Sequence, residues 1–175
     1  DAAPVSHNLL NNSGFESDLD FWTTDHATIR TTDPSAHTGT KYLFGALDGS
    51  ATSLTYQTID LIAKGFTESD LDSGSYLLNY GGWQSGWHTQ RDSGKIEVVI
   101  LDGSLIELDK KNLGWFYSNN SWILKEGTIN VPIGARYITY NFYAQRHEGD
   151  NTDGYLDDAF IKVSDSSFSI IATAG

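Results

Sequence analysis

The sequence contains no cysteine and no methionine, and only 3 prolines among 175 residues. Without cysteine there is no disulfide, no thiolate metal site and no sulfur nucleophile. Without methionine the chain reads as beginning at an internal point of a longer product. No apolar run approaches the roughly 20 residues a membrane span needs, and no signal peptide or lipid anchor is visible. Positive charge is scarce: 11 Lys and Arg stand against 23 Asp and Glu, a net charge of −12. That surface repels phosphate backbones and anionic lipid, which sets aside nucleic acid and membrane insertion. Catalytic patterns are missing too. His7, His26, His37, His88 and His147 have no zinc-ligand spacing, and there is no nucleophile elbow, phosphate loop or dinucleotide fingerprint. Paired carboxylates keep a small glycosidase as the least favoured reading; the chain reads as a non-enzyme.

What is present is aromatic and turn-rich. Aromatic residues make up 13% of the chain, with 5 Trp and 9 Tyr, and there are 17 Gly. Cysteine-free, Asp-rich and aromatic-rich composition suits a secreted or surface-attached bacterial domain that uses calcium where others use disulfides. Short alternating runs, the period of a half-buried strand, dominate. They fall at 27–30, 41–45, 54–61, 76–80, 96–101, 122–124, 137–144 and 156–163, with a further run at Phe168 to Ile171. Turn pairs separate them: Asp48-Gly49, Gly81-Gly82, Asp102-Gly103 and Ile133-Gly134, the third an expected hairpin. A short helix is expected over Thr67 to Leu71, where Thr67-Glu68-Ser69-Asp70 resembles a helix start. The expected fold is all-β, a two-sheet antiparallel β-sandwich or jelly roll. Residues 1–6 read as linker, 7–171 as one domain and 172–175 as a tail.

Three stretches could carry chemistry. His147 to Gly154 is an acidic loop between the strongest strands, and five carboxylates fall between Glu148 and Asp158. Asp150, Asn151 and Asp153 offer the hard oxygen ligands calcium takes, although a solvated turn uses the same residue types. Gly81 to Asp92 places Trp83 and Trp87 among glycines. Those indoles could stack on a ligand or belong to the core, and Gln90 and Asp92 could reach a metal shared with the acidic loop. Asn8 to Glu16 could insert Phe15 in the core and turn Glu16 toward Asp157-Asp158, tying the chain ends through a structural calcium, or be a plain turn.

Asn8-Leu9-Leu10 through Gly14-Phe15-Glu16, then Ser35 to Leu43, then Gly154-Tyr155-Leu156-Asp157-Asp158-Ala159 resemble calcium-containing jelly-roll carbohydrate-binding modules. That resemblance implies a structural Ca2+ on Glu16 and Asp157 or Asp158, with carbonyls near Gly39 and Lys41. Tyr42-Leu43-Phe44-Gly45, Tyr56-Gln57, Gly82-Trp83, Gln90-Arg91-Asp92, Pro132 to Arg136 and Arg146 through Asp158 resemble the ligand-binding domains of large bacterial RTX adhesins. Some of those bind peptide C-termini on other cells through a bound calcium. The resemblance implies a site from Gln90, Asp92, Asp150, Asn151 and Asp153, lined by Arg91, Arg146, Trp83 and Trp87. The leading expectation is therefore a monomeric, calcium-dependent adhesion module binding a peptide C-terminus. The alternative is a carbohydrate-binding module stacking a glycan on Trp83, Trp87 or Tyr155, and a third is a spacer stiffened by calcium.

Overall fold

The computed structural model describes residues 7–166. The flanks 1–6 and 172–175 and the run Phe168 to Ile171 lie outside the described residues. Ten strands and one short helix follow in order: β1 (Thr23–Thr24), β2 (Thr28–Arg30), β3 (Tyr42–Ala46), β4 (Thr52–Asp60), α1 (Glu68–Leu71), β5 (Tyr76–Gly86), β6 (Ser93–Leu101), β7 (Glu107–Asn112), β8 (Ile123–Asn130), β9 (Tyr137–Gln145) and β10 (Thr152–Asp165). They form two five-stranded antiparallel sheets, one ordered β1-β4-β9-β6-β7 and the other β2-β3-β10-β5-β8. The fold is the expected jelly-roll sandwich.

Alternation along each strand builds the core. Ile96, Val98 and Ile100 of β6 and Ile138, Tyr140 and Phe142 of β9 point inward from the first sheet. Leu78 and Tyr80 of β5 and Leu156, Ile161 and Val163 of β10 face them from the second. Burying each large side chain stabilises the fold by about 1.5–3 kcal/mol. Phe15 stacks on Trp22 at 5.0 Å, and Trp22 meets Tyr140 edge-on at 5.8 Å, which closes one end. The opening segment is clamped to β10 by hydrogen bonds from Leu9 N to the Ile161 carbonyl and from Ala159 N to the Ser13 carbonyl. Helix α1 starts where expected, its N-cap Thr67 hydroxyl accepting Asp70 N.

One expected turn is not a turn. Gly81-Gly82 lies in mid-strand, paired with Glu126 and Lys125 of β8. The glycines answer a close approach: a Cβ on Gly81 would run into the Lys125 carbonyl oxygen, and one on Gly82 would lie 2.8 Å from Leu156. Trp83 is consequently a strand residue, and only 87–92 forms the loop. The Asp102-Gly103 hairpin does form, but its return strand β7, exposed at every position, carries no alternation. A polar edge strand of this kind discourages edge-to-edge association.

Candidate functional site

Two loops meet at one end of the sandwich, 87–92 after β5 and 146–151 before β10. Asp92, 1% exposed, braces them. Its Oδ1 accepts His147 N at 2.7 Å and Glu148 N at 2.9 Å, and its Oδ2 accepts Asp153 N at 3.0 Å. Arg91 N donates to Glu148 Oε2, and Arg146 Nη1 donates to the carbonyls of Gly49 and Asp150. Asp92 and Arg146 thus act as loop braces. The braced loops line two clefts: Arg91, His147 and Glu148 face one, and Gln90 and residues 149–151 face the other.

The acidic cleft, about 300 Å³, is lined by Arg30, Trp87, Gln90, Asp150, Asn151 and Asp153, with Gly149 between them. It gathers four of the residues expected to form the adhesin-type site beside Trp87. Asp153 is buried, and burial raises its carboxyl above the ordinary value, offset in part by the hydrogen bond from Tyr155 Oη at 2.7 Å. The Arg30 guanidinium lies 4.9 Å from the Phe44 ring centre and 5.0 Å from that of Trp87. Gln90 Oε1 is buried with no hydrogen-bond partner among the described residues.

The second cleft, about 460 Å³, is lined by Arg91, Ser93, Trp115, Tyr117, His147 and Glu148. Trp115 and Tyr117 are 48% and 47% exposed, whereas Ser93 is 4% exposed and its Oγ is buried without a partner. The cleft opens onto the outer face of the first sheet. There Lys95 Nζ lies 4.8 Å from the Trp115 ring centre and 4.9 Å from that of Tyr143. Register then sets Glu97, Asn141 and Tyr56 side by side across three strands. Glu97 Oε1 accepts Asn141 Nδ2 and Tyr143 Oη, each at 3.1 Å. Sequence reasoning passed over Trp115, Tyr117, Lys95 and Glu97. The available signal was an aromatic triplet, Trp115-Phe116-Tyr117, in a stretch without strand alternation.

The remaining expected residues lie elsewhere. Trp83 stacks on His37 at 3.8 Å on the outer face of the second sheet. Tyr155 is fully buried there with Tyr42 and Phe44 under Trp87 and Trp122, so it presents no ring face to a ligand. The loop 31–41 between β2 and β3 runs over the same face, and Glu16 accepts Thr40 N and Lys41 N at its far end. Asp157 Oδ2 accepts His37 N and Thr38 N, and Asp158 takes His37 Nδ1 and the Thr38 hydroxyl. Asp157 is fully buried; burial and then the Asp158 charge push its carboxyl up to about 7. The acidic pair and Glu16 therefore clasp one loop, 37–41, from two sides. Among the described residues no three His, Asp or Glu side chains converge as a metal cluster.

No protein-family description and no curated protein matches the sequence. Solved structures match in fold. TmCBM61, in complex with β-1,4-galactotriose, gives a TM-score of 0.59 at 21% identity over 89% of this chain and 98% of that one. The C-terminal family 22 carbohydrate-binding module of Clostridium thermocellum Xyn10B gives 0.55 at 16% identity over 92% and 98%. The enzymatically active domain of bacteriophage CBA120 tailspike protein 4 gives 0.65 at 16% identity, over 89% of this chain, which spans only 21% of that one. The class these define is a jelly-roll sandwich of the architecture that carbohydrate-binding modules use.

Proposed function

We propose that the chain is a non-catalytic glycan-binding module, with the sugar lying in the Trp115–Tyr117 cleft and along the outer face of the first sheet. The observation that carries this reading is the pairing of two half-exposed aromatic rings with a buried, unsatisfied Ser93 hydroxyl in one open cleft. Ring faces stack on sugar faces, and a buried polar atom without a partner costs about 1–3 kcal/mol unless a ligand satisfies it. Glu97, Asn141 and Tyr56 continue the polar row along which further sugar units would lie. The carbohydrate-binding names of two of the matched folds support this reading over a peptide C-terminus.

Calcium enters this proposal as a stabilising ion. Glu16 and Asp157 or Asp158, with carbonyls of the 37–41 loop, would hold one ion, and a cation there would offset the cost of ionising buried Asp157. Gln90 Oε1, Asp150, Asn151 and Asp153 offer a second hard-oxygen set, and the unpartnered Gln90 oxygen is of the type a hard cation takes. Such a module would belong to a longer secreted or surface-attached protein and meet glycans on another cell. Affinity electrophoresis through polysaccharide gels tests the reading. Retention of the wild type and its loss in Trp115→Ala, with the fold intact by circular dichroism, is the expected result. Retention unchanged in Trp115→Ala and Tyr117→Ala would refute it.

A further inference from the structure

The cleft also carries a charge signature, and its interpretation rests on the glycan reading above. In a chain with more than twice as many acids as bases, Arg91 in the cleft lining and Lys95 at its rim, on the Trp115 ring, keep their charges unpaired. Neither side chain makes an ion pair or a hydrogen bond among the described residues, in contrast to Lys41, Lys110 and Arg136. Lys95 follows Ser93 on the outward side of β6, and its ammonium rests between Trp115 and Tyr143. Rings hold a cation there without neutralising it. Arg91 lines the cleft with its guanidinium free, because only its backbone N–H is bonded to Glu148. Two acidic side chains share the neighbourhood: Glu148, itself part of the lining, accepts the Arg91 backbone N–H at Oε2, and Glu97 Oε1 accepts hydrogen bonds from Asn141 Nδ2 and Tyr143 Oη.

We propose that the cleft selects an acidic sugar, whose carboxylate meets Arg91 and Lys95 while its ring lies on Trp115 or Tyr117 and a hydroxyl bonds to Ser93 Oγ. A guanidinium fork matches a carboxylate in two parallel hydrogen bonds. Neutral sugars would satisfy the rings and the serine but leave both cations unmatched.

Titration calorimetry tests this with trigalacturonate, an alginate trimer and a glucuronoxylan fragment, each compared with its methyl ester, and with neutral β-1,4-galactotriose. The expected result is at least one acid binding about tenfold or more tighter than its ester, the size of a charge-assisted hydrogen bond. Arg91→Gln with Lys95→Met should erase that difference and leave the ester's affinity in place. Trp115→Ala should weaken acid and ester alike. If every acid binds no tighter than its ester, the acidic-sugar inference is overturned. When galactotriose or an ester still binds in that case, the glycan reading survives. If none of these ligands binds, and a wider panel of neutral glycans is equally silent, both fall together.

Discussion

The two outer faces of the sandwich carry similar side chains and treat them in opposite ways. On the second sheet, Tyr42, Phe44 and Tyr155 are completely buried, because Trp87, Trp122 and the 31–41 loop cover them. Trp122 Nε1 is tied to the Ser35 carbonyl, and Arg30 fills the space above the rings. On the first sheet, Tyr56, Trp115 and Tyr117 stay open, and the polar groups between them bond to one another without a covering loop. Aromatic content alone therefore does not mark a binding surface. What distinguishes the two faces is whether the chain supplies a cover of its own: Tyr42, Phe44 and Tyr155 have one, and Trp115 and Tyr117 do not.

The largest effect that would break this comparison is on the covered face. Tyr155→Ala should destabilise the domain by about 3–5 kcal/mol, since it empties a fully enclosed site. Trp115→Ala should cost only about 1–2 kcal/mol, since half of the ring is already exposed, while abolishing glycan retention. Chemical denaturation of both variants checks the pair, and equal destabilisation would erase the distinction between the faces.

The brace shared by the two clefts comes next. Asp92→Ala strips an acceptor from three backbone N–H groups and should cost about 3 kcal/mol. Asp92→Asn sharpens the test. Its amide oxygen can serve His147 and Glu148, but its amino group meets Asp153 N, so the variant should fall between Asp92→Ala and wild type. Glycan affinity should drop in both variants, because the loops that present Arg91 and His147 lose their common anchor.

The smallest effect concerns a position remote from both faces. The Arg136 hydrogen bond, then that from Gly134 N, holds the Asp72 carboxyl down at about 2. A carboxyl lowered in the fold contributes stability above its unfolded value near 4, and that contribution disappears as pH falls from about 4 toward 2. Asp72→Asn should therefore flatten the acid limb of a stability–pH curve slightly and leave glycan binding unchanged. An altered affinity in that variant would show that the open face is not energetically separate from the rest of the sandwich.

Much of the fold was legible because burial writes period-two patterns into sequence. Ile138, Tyr140 and Phe142 announced β9, and Thr67 announced the helix start. Where burial does not alternate, the pattern is lost. β7 is exposed on both faces and carries no signal, and β3 is buried on both faces and reads only as a short apolar run. Gly81-Gly82 misled because glycine serves tight packing as readily as turning. The same limit applies to the candidate site. Gln90, Asp150, Asn151 and Asp153 were legible as a group because two loops bring them together. Trp83, Trp87 and Tyr155 stood out by residue type, but only the register of β10 and the path of the 31–41 loop decide which rings are covered. Trp115 and Tyr117 were not singled out, because their exposure depends on the pairing of Phe116 with Gly94, a contact no local pattern encodes.

The most direct measurement is a glycan titration followed through the five tryptophan indole N–H signals by nuclear magnetic resonance, with each signal assigned by Trp→Phe substitution. Binding on the open face predicts that the Trp115 signal moves progressively with added glycan while those of Trp22, Trp83 and Trp122 hold still. A shift confined to Trp83 or Trp87, with Trp115 unmoved, would contradict the account and place the ligand on the covered side of the molecule.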